Sequence, residues 1–236
     1  MNRVLKVTRL HTNKISSFVT APLTILAMVM IVSVVIAIAI QRAGSVPGTA
    51  EYIEGARWNS GVVWSLPGFL IYYGVQAVAT TYPFALALGT TRRNFVVGTM
   101  LANALQAAYV TLLLVVLLGI ERATDHWFAS VYVLDTYALG AGNPWVLAVT
   151  GFIGVLFCLT VGGFFGAIWV RFGAKGPAVV GAGLALVVAV LLLVFAPRLP
   201  ELVGAMSGAS VAITALGVIV LALIATWFAM RRAAVR

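Results

Sequence analysis

The chain is short of charge. Only 9% of its 236 residues are Asp, Glu, Lys or Arg, where an ordinary soluble domain carries about 25%. It has six acids and two histidines, His11 and His126, and its single cysteine is Cys158. One cysteine forms no internal bridge, which excludes a disulfide scaffold. What fills the space is apolar: 62% of residues are hydrophobic, with a mean hydropathy of +1.09. A soluble fold of this length has no interior large enough for that surface. Soluble enzyme, disordered tail and collagen are therefore excluded, and the solvent is lipid. The net charge of +9 does not indicate nucleic acid, because the basic residues lie in short clusters between apolar blocks.

The apolar blocks predict an all-α membrane protein with six transmembrane helices, at about 18–40, 62–88, 95–120, 144–170, 177–196 and 208–230. Residues 1–17 precede them and residues 18–236 form the membrane domain. In 1–17, Arg3, Lys6, Arg9 and Lys14 alternate with Val4, Leu5, Val7 and Leu10, the pattern of an amphipathic interfacial helix. A cleaved signal peptide competes for this region, since Ala37-Ile38-Ala39 fits a small-x-small site. The apolar run exceeds the usual length of a signal core, which favours a retained helix. Pro67 is expected in the first turn of the second span and Pro83 is expected to kink its far end.

Charge orients the bundle. With the N-terminus inside, the inner segments hold Arg3, Lys6, Arg9, Lys14, Arg92, Arg93, Arg171, Lys175, Arg231, Arg232 and Arg236, and no acid. The outer segments hold Arg42, Arg57, Arg122 and Arg198 with all the acids: Glu51, Glu54, Glu121, Asp125, Asp135 and Glu201. That split of +11 against −2 accounts for the net charge of +9. Because Lys and Arg favour the cytoplasmic side, both termini are expected in the cytoplasm. The inner connections 89–94 and 171–176 are short, and the outer ones, 41–61 and 121–143, are long. Within the second of these, Trp127-Phe128 and Val131-Tyr132-Val133-Leu134 suit the membrane interface.

Chemistry is sparse. No H-E-x-x-H, Cys/His cluster or P-loop occurs, and no Asp, Glu, Lys, Arg or His falls deep within a span by these boundaries. His11 is expected at the inner surface and His126 in an outer loop. Ser207, in Gly-Ala-Met-Ser-Gly, misses the pattern of a membrane serine protease. The chain itself is expected to be non-catalytic and without a metal or cofactor.

The polar residues within the spans are neutral. Tyr73, Gln76 and Thr80 share a face of the second span, and Asn103, Gln106 and Tyr109 share one of the third. Matched depths across the inner turn pair Gln76 with Gln106 and Thr80 with Asn103. Two interpretations follow: interhelical hydrogen bonds that hold the hairpin, or a polar patch lining a substrate path. Gly162-x-x-x-Gly166 and Gly204-x-x-x-Gly208 allow close helix approach, although chance matches are common among twenty-three glycines. The fifth span has no polar side chain.

The inner turn, Leu88-Gly89-Thr90-Thr91-Arg92-Arg93-Asn94-Phe95, can end one helix at Gly89 and cap the next with Thr90 or Thr91. Its two arginines either follow the positive-inside bias alone or, with Phe95 exposed beside them, form a docking knob for a soluble subunit. This turn, the basic amphipathic N-terminus and six spans with both ends inside resemble the permeases of type-2 ABC exporters, particularly their small actinobacterial members. The resemblance covers essentially the whole chain in topology. It implies a half-transporter in a bacterial plasma membrane, paired with a second permease chain and two ATPase subunits that carry ATP and Mg. The N-terminal segment would be the connecting helix, and Gly89, Thr90, Thr91, Arg92, Arg93, Asn94 and Phe95 the coupling helix. The second and fifth spans would flank the path, which points to Tyr73, Gln76 and Thr80. Many members carry a longer re-entrant element between the last two spans, where this chain has only about 197–207. A secondary carrier or a structural membrane subunit is the competing class.

Overall fold

The computed structural model describes residues 3–231. Arg232 and Arg236, counted above among the inner charges, lie outside them, as do residues 1 and 2 and the rest of 232–236. The described chain is all helical. Short α1 (Arg3–Thr12) leads through a π-helical turn, Ser16–Thr20, into α2 (Ala21–Arg42). Then come α3 (Ala50–Ala56), α4 (Gly61–Ala79), α5 (Thr81–Ala87) and α6 (Arg92–Ala123). The chain finishes with α7 (Pro144–Phe172), α8 (Lys175–Phe195), α9 (Leu199–Gly204) and α10 (Gly208–Arg231). Six helical stretches are long and apolar enough to cross a membrane: Ser16–Arg42, Ala50–Ala87, Arg92–Ala123, Pro144–Phe172, Lys175–Leu202 and Gly208–Arg231.

The helices start and stop where local chemistry directs. The Thr91 hydroxyl accepts from the Asn94 N–H and caps α6. The Asn143 side chain accepts from the Trp145 and Val146 N–H groups and caps α7, with Pro144 at its first position. Pro83 acts as the sequence suggests: the second span breaks at Thr80, and Pro83 sits in the first turn of α5, where its missing N–H costs little. Pro67 differs from expectation. α4 begins at Gly61, so Pro67 lies inside the helix, beyond its first turn.

α7 is the hub, packed against α4, α6 and α10. Small residues make this work: Gly162 and Gly166 face the α4 backbone at Ile71 and Val75, and Gly74 faces Leu159. α4 and α6, connected through α5 and a short turn, therefore do not form the tight hairpin the sequence suggests, because α7 takes the place beside each of them. One apolar core runs from Leu26, Leu66 and Leu70 through Leu114 and Leu118 to Val131, Leu134 and Leu147. A second gathers Val7, Tyr82, Phe95, Ile168 and Met230. The second core marks the end where α1, the α5–α6 turn and the last turns of α7 and α10 meet, here called the basic end. The long connections occupy the opposite, looped end. α8 leans mainly on α7 and has no buried residue.

Candidate functional site at the basic end

The α5–α6 turn is built from backbone chemistry. Gly89 takes φ +76°, the left-handed conformation that glycine adopts without a Cβ penalty. Its N–H donates to Leu86, and the Thr90 N–H donates to Ala85, so the last carbonyls of α5 are satisfied. No separate helix spans Gly89 to Phe95: Gly89 to Thr91 are a loop, and Arg92 to Phe95 are the first turn of α6.

Three neighbours grip this turn. Arg3 Nη1 donates to the Gly89 carbonyl at 3.3 Å. Arg92 Nη1 donates to the Met230 carbonyl at 3.3 Å and to the Arg231 carbonyl, so a cation closes the C-terminus of α10. Phe95 corrects the docking-knob expectation. It is fully buried, edge-on to Tyr82 at 5.1 Å and to His11 at 6.0 Å between ring centroids. The aromatic is thus an internal peg, because α1 lies over it. Gly89, Thr91, Arg92 and Arg93 remain exposed at the surface, with Thr90 and Asn94 half-buried.

α1 is docked onto α6. Val7 and Thr8 are buried, and the Thr8 hydroxyl donates to the Gly98 carbonyl at 3.1 Å. A Cβ at Gly98 would meet the Val7 side chain and the Val4 carbonyl. His11, expected at the surface, is only 4% exposed, with Nε2 3.0 Å from the Thr99 hydroxyl. Burial, with a smaller push from Lys14, lowers its pKa to about 4, so the imidazole is neutral at pH 7.

The polar residues of the spans serve the same N-terminal segment. The Tyr73 hydroxyl donates to the His11 carbonyl at 3.3 Å. Gln106 Nε2 donates to the Phe18 carbonyl at 3.0 Å, and the Tyr109 hydroxyl to Val19 at 3.3 Å. The last two bonds hold the π-helical turn between α1 and α2, and the first holds α1. The expected pairings of Gln76 with Gln106 and Thr80 with Asn103 are absent among the described residues. Thr80 is exposed and its hydroxyl donates within α4 to the Gln76 carbonyl at 2.7 Å. Gln76 is half-buried. Asn103, buried, borders a void of about 20 Å³ with Thr99, Thr160 and Thr226.

The looped end contains a charged cluster that sequence reasoning missed. Glu121, in the last turn of α6, is fully buried. Its carboxylate accepts from the backbone N–H groups of Val133, Leu134 and Asp135 at 2.9–3.1 Å, which compensates a negative charge at a helix C-terminus. Asp135 Oδ2 takes Arg57 Nη2 at 3.0 Å and His126 Nε2 at 3.1 Å. Residues Val131 to Thr136 are therefore buried in protein, while Phe128, in the same connection, is 87% exposed. The signal available was that every acid lies in the segments read as outer connections. Among the described residues, no group of three His, Cys, Asp or Glu side chains is placed to hold a metal ion. No family model, curated protein or solved structure matches the chain.

Proposed function

We propose that the chain is the membrane subunit of an ATP-driven ABC exporter, with the α5–α6 turn receiving the push of a separate ATPase. The carrying observation is the mechanical linkage at the basic end. Arg3 and Arg92 join the turn to α1 and to the end of α10, and Phe95 pegs it into the packing of Val7, Tyr82 and Met230. A force on this loop reaches α1, α6 and α10 together. Exposed Arg93 supplies a cation for the partner to recognise.

In this scheme both termini and the turn face the cytoplasm of a bacterial cell, as the bias of basic residues requires. α1 is the connecting helix. Two ATPase subunits bind ATP and Mg, and a second permease chain, identical or homologous, completes the path. α8, apolar beyond Lys175 and without a buried residue, is the surface available to that chain or to lipid. The chain contributes a two-state cavity and no bond-making. With only neutral side chains in the middle of its spans, the cargo is amphipathic or apolar: a drug, a peptide antibiotic or a lipid.

Co-purification tests the docking. An ABC ATPase encoded beside this gene, the partner this reading requires, should be retained by the wild-type chain and lost from Arg93→Glu. Arg93 is the informative position, because Arg92 also supports α10. Retention by Arg93→Glu would remove the docking claim. Transport that persists without ATP but collapses with the proton gradient would favour the secondary carrier.

A further inference from the structure

A cavity of about 940 Å³ opens at the looped end between α2, α3 and the connection before α7. Its size falls within the roughly 300–1,000 Å³ usual for small-molecule sites. One wall is the last part of α2, from Ser33 to Ile40, about 10 Å of helix. Ile36, Ile40 and Val46 line it and stay exposed, so the wall offers apolar surface with no protein cover.

Its charge is one-sided. Glu51, in the first turn of α3, lines the cavity and makes no ion pair among the described residues, while no Lys, Arg, His or Asp lines it. Arg57, the nearest cation in sequence, is turned toward Asp135. Trp58 also lines the cavity and is 71% exposed. A carboxylate with an open indole attracts an ammonium group through charge and through the ring quadrupole. An anionic head, or the phosphate of a phospholipid, would meet the carboxylate with no cation to offset it.

We propose that this cavity binds an amphipathic cation, an alkyl ammonium whose chain lies along α2 and whose head sits between Glu51 and Trp58. The site stands on the looped end alone and does not depend on an ATPase partner.

The test uses the full chain in phosphatidylcholine nanodiscs, titrated with a dodecyl ammonium carrying a nitroxide at its head. Wild type should show saturable tryptophan quenching that Trp58→Phe lacks. Dodecyltrimethylammonium should displace the probe and dodecyl sulfate should not. Glu51→Gln should weaken binding about tenfold, and Glu54→Gln, one turn further along α3 and outside the cavity, should leave it unchanged. Wild-type affinity in Glu51→Gln, or equal displacement by dodecyl sulfate, overturns the proposal. So does quenching that never saturates, which is partition into the bilayer.

Discussion

Gly162 on α7 faces Gly74 on α4 so closely that a Cβ built on Gly162 would stand 3.0 Å from the Gly74 Cα and 2.2 Å from the Ile71 carbonyl oxygen. The atoms in the way are backbone, so no rotamer change relieves the clash. Gly162→Ala should therefore destabilise the bundle by about 1–3 kcal/mol, read as a lower Tm in detergent. Gly204, with nothing within 4 Å of its built Cβ, is the control. Gly204→Ala should leave Tm unchanged.

Phe95 and Arg93 lie two residues apart and should behave oppositely. Phe95→Ala empties a fully buried position beneath α1 and should cost about 3 kcal/mol or more. Arg93→Glu, on the surface, should leave thermal unfolding within about 0.5 kcal/mol of wild type. Comparable losses of stability in both would mean that Arg93 has a structural role.

His11 makes the docking of α1 depend on pH. Its folded pKa, about 4, lies below the ordinary value of 6.5, so the undocked state binds the proton more readily. The stabilising contribution is complete above pH 6.5, falls as the pH drops through that value and is lost below about 4. Its size is on the order of 3 kcal/mol. Hydrogen exchange of the α1 amides should accelerate between pH 7 and pH 4.5 relative to His11→Gln, in which this component is absent. Identical pH profiles in the two proteins would contradict it.

Glu121→Gln should loosen the looped end locally. An amide offers one acceptor oxygen where the carboxylate offers two, so at least one of three buried N–H groups loses its partner. The cost is about 1–3 kcal/mol. Exchange at Val133, Leu134 and Asp135 should rise while the basic end keeps its protection.

Hydropathy and caps made the spans legible: Pro144 and Gly208 begin helices where the apolar runs begin, and Pro83 marks a real break. Spacing alone could not separate the two glycine motifs. Gly162 and Gly166 meet α4, whereas Gly204 and Gly208 meet nothing, and the difference is whether another helix lies opposite. The polar faces show the same limit. Gln106 and Tyr109 do share a face, yet their partners are carbonyls of Phe18 and Val19. Depth matching assumed that helices joined by a short turn pack together, and the insertion of α7 is a long-range choice that no local signal carries. Phe95 was misjudged for a related reason: its burial depends on α1, some ninety residues earlier in the chain.

The most direct measurement of the central claim is ATP turnover by an ABC ATPase, the partner the proposal requires, reconstituted with this chain in liposomes. The account predicts hydrolysis that the wild-type chain stimulates and that Arg93→Glu fails to stimulate despite unchanged Tm. Full stimulation by Arg93→Glu, or transport by this chain with no ATPase in the liposome, would contradict it.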